Sequence, residues 1–156
     1  ISTVMARVVP QILADLEGFD SKAEKGNTLL FIGATNEPWS LDEAILRPGR
    51  LDEKLYIPLP DIKARRQIIE ANLRGKPLSP GVDLDEVARV TQGYSGADLR
   101  RLCEKSSDAP FLESVHTGQE REMEMSDILN VLHSLKPSVS PKNLSRFEKF
   151  ATEGTV

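Results

Sequence analysis

Asn36 follows the apolar run Leu29-Leu30-Phe31-Ile32-Gly33-Ala34 and Thr35, and Arg50 follows Pro48-Gly49 a short way on. An amide at a strand end and a guanidinium on a tight turn are both groups that address a ligand. The guanidinium is always charged and forks onto phosphate oxygens, so Arg50 has the form of a donor offered to another molecule's phosphate. Its plainer alternative is a surface salt-bridge arginine, just as Asn36 can simply close a core strand in a turn. Two weaker signals lie downstream. Gly96-Ala97 at a helix start offers free backbone N–H groups and no bulk, open to a flat ring or an anion, or else is an ordinary helix start. Ile68 and Asn72 are four residues apart and share a helix face, pairing an apolar contact with an amide.

Complete catalytic sets are missing. No Gly-x-x-x-x-Gly-Lys-[Ser/Thr] phosphate loop occurs. The nearest string, Gly75-Lys76, has Glu70 in place of the first glycine and Pro77 in place of the hydroxyl. No apolar strand ends in the Asp-Glu pair that would hold magnesium and activate water. No Ser-His-Asp or Cys-His arrangement stands out, and His116 and His133 lie far apart without neighbouring cysteines, which argues against a zinc site. Taken alone, the chain lacks the parts of a full reaction.

The elements that must position these residues fall into two textures. Val4, Met5, Val8, Val9, Ile12, Leu13 and Leu16 recur at helical spacing, predicting a helix over 3–17 that Pro10 kinks or shortens and Gly18 ends. The run 29–35 reads as a strand buried on both faces, as in a parallel sheet, where ligands sit beyond the carboxyl ends. Ser40 and Glu43 have capping-box spacing for a short helix through Leu46, and Lys54-Leu55-Tyr56-Ile57 reads as a short strand closed by Pro58 and Pro60.

After Asp61 only helices are expected. The first spans 62–73, and a Lys-Pro-Leu-Ser-Pro-Gly loop follows at 76–81. The next opens at Asp83/Glu86 and runs to about Val90. Another opens at Ser95/Asp98 and carries Leu99, Leu102 and Cys103. One capped by Ser126 carries Ile128, Leu129, Val131 and Leu132. A last helix starts at Ser140-Pro141 and runs through Phe147 and Phe150. The reading is therefore an α/β piece over 1–60 and a helical piece over 61–156.

With 39% hydrophobic and 28% charged residues, the 156-residue chain suits one globular domain or two small subdomains. A net charge of −4 gives no reason to expect nucleic acid or an anionic membrane as partner. No apolar segment approaches the roughly 20 residues of a membrane span. Cys103, the single cysteine, reads as a buried thiol on an amphipathic helix and fits a reducing, cytoplasmic setting. The first residue is Ile1 rather than Met, so a processed product or a piece of a longer protein is expected.

Four motifs in order carry a resemblance: Gly-Ala-Thr-Asn-x-Pro-Trp (33–39), Leu-Asp-x-Ala-Ile (41–45), Leu-Tyr-Ile-Pro-Leu-Pro-Asp (55–61) and Gly-Tyr-Ser-Gly-Ala-Asp-Leu (93–99). With Lys-Pro-Ser-Val-Ser (136–140) and Phe-Glu-Lys-Phe-Ala (147–151), they make nearly the whole chain resemble the C-terminal half of an AAA ATPase module. The likeness is strongest to the group of katanin, spastin and the ATPases that disassemble ESCRT filaments. It implies the remnant of a parallel P-loop NTPase sheet followed by an all-α lid subdomain. It also implies ATP and Mg2+, held mainly by a phosphate loop and a Walker B strand that would precede Ile1.

By position, the resemblance makes Asn36 the sensor-1 residue that places the attacking water and reads the γ-phosphate. Arg50 becomes the arginine finger that reaches a neighbouring subunit's ATP. Ile68, Asn72, Gly96 and Ala97 become adenine-facing lid residues. Relatives carry a second arginine where Gly49 or Glu53 stands here, so the finger is single. The implied partners are neighbouring AAA subunits in a homo-hexameric ring and a remodelled protein substrate, and the chain by itself is expected to be inactive. The alternative is a stand-alone, non-catalytic module that docks on or caps an AAA ring. An AAA protease parent ranks below both, because no His-Glu-x-x-His follows.

Overall fold

The computed structural model of the protein describes Gln11, Ala14 and residues 30–48, 50–51 and 53–153. The helix expected over 3–17 lies outside the described residues except for Gln11 and Ala14, which are helical. The chain forms two compact units, Ile1–Tyr56 with Ser145–Val156, and Ile57–Leu144.

The second unit is a helical cluster in which capping side chains set most of the starts. α1 (Ile62–Leu73) begins where the Asp61 carboxylate accepts the Ala64 N–H at 2.7 Å. α2 (Leu84–Val90) begins where Asp83 accepts from Asp85 and Glu86. α3 (Gly96–Ser106) opens with a reciprocal Ser95/Asp98 capping box. Each such side chain satisfies backbone donors that the first helical turn leaves without partners. α4 (Asp108–Thr117) has no counterpart in the sequence reading. It ends at Gly118, whose φ of 70° is the left-handed conformation that closes helices.

α5 (Met125–Ser134) starts after Glu124 rather than at Ser126. Asp127 wins the capping role because its Oδ2 accepts the Glu124 N–H at 2.8 Å, and Ser126 lies inside the first turn. α6 (Pro141–Glu153) begins as the Ser140-Pro141 pair predicts, with Ser140 Oγ accepting the Asn143 N–H.

α1 packs against α2 and α3, and α3 packs against α4 and α5. The stripe Leu99, Leu102, Cys103, Ser106 is buried at helical spacing and meets Ile69 and Leu73 of α1, Val87 and Ala88 of α2, and Ile128 of α5 in one core. Burying each such aliphatic side chain is worth about 1.5–3 kcal/mol, which fixes the helix faces. A parallel bridge between Leu78 and Met123 joins the loop after α1 to the lead-in of α5.

The first unit departs from the sequence reading. Among the described residues there is no strand: 30–35 have no regular secondary structure, and Leu30 and Ile32 are 77% and 78% exposed. The stretch 54–57 is likewise irregular, with Leu55 and Ile57 exposed. The physical reason is that a strand is defined by its neighbours. Without an adjacent strand its N–H and C=O groups go to water and its apolar faces have nothing to cover them. The Ser40 capping box is also corrected. Pro38–Ser40 is itself a 3₁₀ turn, and a second one, Glu43–Leu46, is capped by Asp42, which accepts the Ala44 N–H at 2.9 Å. Within this unit Trp39 lies against the Phe147 ring, centroids 5.0 Å apart, with the Arg146 guanidinium 3.8 Å from its ring centre.

Candidate functional site

Asn36 lies at a bend in the exposed 30–37 segment. Just beside it the Glu37 N–H donates to Thr35 Oγ1 at 3.0 Å, so the Thr-Asn pair forms a local hydroxyl turn instead of a strand end. Arg50 is half-buried. Its backbone N–H donates to the Arg47 carbonyl at 3.2 Å, closing the turn, and its Nη1 donates to the Ala44 carbonyl at 2.6 Å. Glu53, one of the two positions where a second arginine would stand, is exposed, and Gly49 lies outside the described residues.

In the helical unit Ile68 packs half-buried against the core, and Asn72 Nδ2 donates to the Ile68 carbonyl at 2.7 Å. The two residues therefore meet on one turn of α1. Gly96 and Ala97 are exposed at the start of α3, the helix on which α1 packs. A Cβ built on Gly96 would meet nothing within 4 Å. The fold itself thus makes no use of that glycine's smallness.

Around this start the chain builds a tight polar frame. Asp98 is 5% exposed. Its Oδ2 accepts from the Ser95 N–H at 3.0 Å, Ser95 Oγ at 2.8 Å, the Ser138 N–H at 3.1 Å and Ser138 Oγ at 3.0 Å. Burial pushes this carboxyl up, but the bonds from Ser95 and Ser138 more than offset it and hold the group below the usual carboxylate range. The Tyr94 hydroxyl donates to the Leu135 carbonyl, and burial, then the nearby Asp98 charge, raises the phenol above its ordinary value.

The sequence reading recognised Asp98 as a cap but missed its partners. Ser138 and Leu135 lie about forty residues downstream, and no local spacing signals a bond of that reach. Arg65 was missed as well. It is buried, with Nε donating to the Ala88 carbonyl at 2.9 Å and Nη1 to the Pro60 carbonyl at 3.0 Å, and it occupies what periodicity would assign to an apolar residue. Cys103 is buried as expected, and burial pushes its thiol up to about 11. Lys76 caps the end of α3, donating to the Cys103 carbonyl at 3.2 Å and Ser107 Oγ at 2.6 Å.

Comparison with known proteins gives three family matches along the chain. Residues 2–59 match the family described as "ATPase family associated with various cellular activities (AAA)". Residues 81–129 match the AAA+ lid domain, and 115–154 match the Vps4 C terminal oligomerisation domain. The chain belongs to the AAA ATPase family. It is also similar to a cell division cycle protein 48 homolog of Archaeoglobus fulgidus, with 37% identity over 158 aligned positions. That alignment takes in 95% of this chain and 21% of the relative, so this AAA chain spans about a fifth of the length of the curated relative it matches. The helical unit holds the whole lid match. No helix among the described residues is long and apolar enough to cross a membrane.

Proposed function

We propose that this sequence is the C-terminal part of an ATP-hydrolysing AAA module, with residues 1–60 completing the nucleotide-binding subdomain and 61–156 forming its lid. In that reading Asn36 is the sensor that orients water beside the γ-phosphate, and Arg50 is the finger offered to ATP on a neighbouring subunit. Ile68, Asn72, Gly96 and Ala97 face adenine. The observation that carries the reading is the exposed, capped start of α3, where Gly96 has open space in front of it and no structural need to be glycine. The aligned N–H groups of such a start and the absence of a side chain suit the edge and face of a base.

ATP with Mg2+ supplies the phosphoryl chemistry, and this chain's residues bind and orient. The run 29–35 takes strand form once flanked by the strands of a parallel sheet, which brings Asn36 to its carboxyl end. The Arg50 turn, held through the Ala44 carbonyl, presents a charge that can be worth about 10³–10⁵ in phosphoryl-transfer rate when it arrives from a neighbour. The assembly is a homo-hexameric, cytoplasmic ring that remodels protein complexes.

Two measurements test this. The purified 156-residue chain should show no ATP turnover above an Arg50→Ala control, because it contains no phosphate loop. In the full-length ATPase, Arg50→Ala subunits mixed with wild type should depress turnover beyond their own share. Unchanged turnover per wild-type subunit would remove Arg50 from the trans role.

A further inference from the structure

Two residues on either side of Gly96–Ala97 grip the same distant segment. Tyr94 bonds the Leu135 carbonyl, and Asp98 accepts both the backbone N–H and the hydroxyl of Ser138. The segment 135–138 joins α5 to α6 and has no regular structure of its own. Tyr94, Asp98 and Leu135 are buried, while Ser138 is exposed. Asp98 needs only Ser95 to complete a capping box, so the two bonds from Ser138 are surplus to helix initiation. Their effect is to fix where the start of α3 stands.

We propose that the strap at 135–138 is a positioning element for the nucleotide base, with Tyr94, Asp98 and Ser138 as positioning residues that set the placement of Gly96–Ala97. The inference rests on the reading that this pair faces adenine. A platform of one glycine and one alanine has no polar side chain of its own to hold register against a flat ring. The strap provides it, from both sides and through polar bonds that work at one geometry. Loosening the strap therefore alters how well the platform distinguishes adenine from a base with different edge groups.

The test has two readouts. In hydrogen exchange on the 156-residue chain, Ser138→Ala and Tyr94→Phe should each speed exchange at the bonded amides of Ser95, Asp98 and Leu99 about tenfold, the effect of losing one hydrogen bond. Exchange at Ile69 and Leu73 of α1 should stay as in wild type, and Ser138→Thr, which keeps the hydroxyl, should restore protection. In the full-length ATPase, Ser138→Ala should weaken fluorescent mant-ATP binding about tenfold and mant-GTP binding far less. Unchanged exchange at Ser95, Asp98 and Leu99, a uniform rise that includes α1, or equal effects on the two nucleotides would each overturn the proposal. Gly96→Val separates the layers. If it abolishes mant-ATP binding while Ser138→Ala does nothing, only the strap's role falls. If Gly96→Val also leaves binding intact, the adenine reading of the pair falls and the strap's role with it.

Discussion

Asp98 and Asp127 are the two aspartates with the most polar support in the helical unit, and both are held below the ordinary carboxylate range. Arg121 does this for Asp127 with a two-pronged contact at 2.8 and 3.0 Å, and Ser95 and Ser138 do it for Asp98. A carboxyl whose folded pKa is depressed contributes stability that is complete above its unfolded value, near 3.9, and is lost as pH falls through the folded value. Thermal unfolding should therefore change little between about pH 7 and about pH 5 on account of these groups, then fall steeply below about pH 4. The Ser138→Ala/Arg121→Ala double variant should start lower at neutral pH and lose less on acidification. An equal acid loss in both proteins would show that other carboxylates govern it. Cys103 leads to a second expectation at this scale. Burial pushes its thiol up to about 11, and the thiolate is the nucleophile, so alkylation by iodoacetamide at neutral pH should be slow in the native chain. It should become fast in denaturant, and rapid native labelling would contradict the buried placement.

At the scale of elements, Gly96 and Gly118 make a matched pair. Both have open space around a built Cβ, but only Gly118 has positive φ. Gly118→Ala should cost about 1–2 kcal/mol, the penalty of the left-handed conformation for a side chain, while Gly96→Ala should be neutral or slightly stabilising. Urea unfolding compares them directly, and equal costs would defeat the distinction. Arg65 ties α1 to the end of α2 and to Pro60, so Arg65→Met, which keeps the volume but removes the donors to both carbonyls, should cost about 1–3 kcal/mol in the same assay. The elements legible from sequence are those whose instructions are local. Asp61, Asp83, Ser95 and Ser140 announce α1, α2, α3 and α6 because a cap acts within three residues. α4 escaped because Pro110 looks like a breaker, whereas in a first turn its missing N–H costs nothing. The lack of a strand at 30–35, where the sequence predicts one, and the bonds of Asp98 to Ser138 share the opposite character. Both depend on partners far away in the chain, or on neighbouring strands, and no spacing rule contains that information.

For the molecule as a whole, the two units differ in how their apolar residues are used. The helical unit closes its core on Ile69, Leu99, Leu102 and Ile128, all at most 2% exposed. The other unit leaves Leu30, Phe31, Ile32 and Leu55 between 50% and 85% exposed. These are the residues that a parallel sheet would bury, and unsatisfied apolar surface of this kind is a template for pairing with another chain. Each such side chain gains about 1.5–3 kcal/mol on full burial, so covering all four gives about 6–12 kcal/mol, comparable with the cost of association. The 156-residue chain should therefore self-associate with rising concentration, by mass action, and sedimentation velocity across a wide concentration range should show its mean mass climbing. An Ile32→Lys/Leu55→Lys variant should remain monomeric with its helical unit intact by circular dichroism, since neither residue belongs to that unit's core. The nucleotide reading adds a condition. If these side chains belong in a sheet completed by the phosphate-binding half of the module, the same double substitution in the full-length ATPase should abolish nucleotide binding instead of improving solubility. A full-length variant that still binds ATP normally would place 30–32 and 55 outside the sheet and leave their exposure as the native condition.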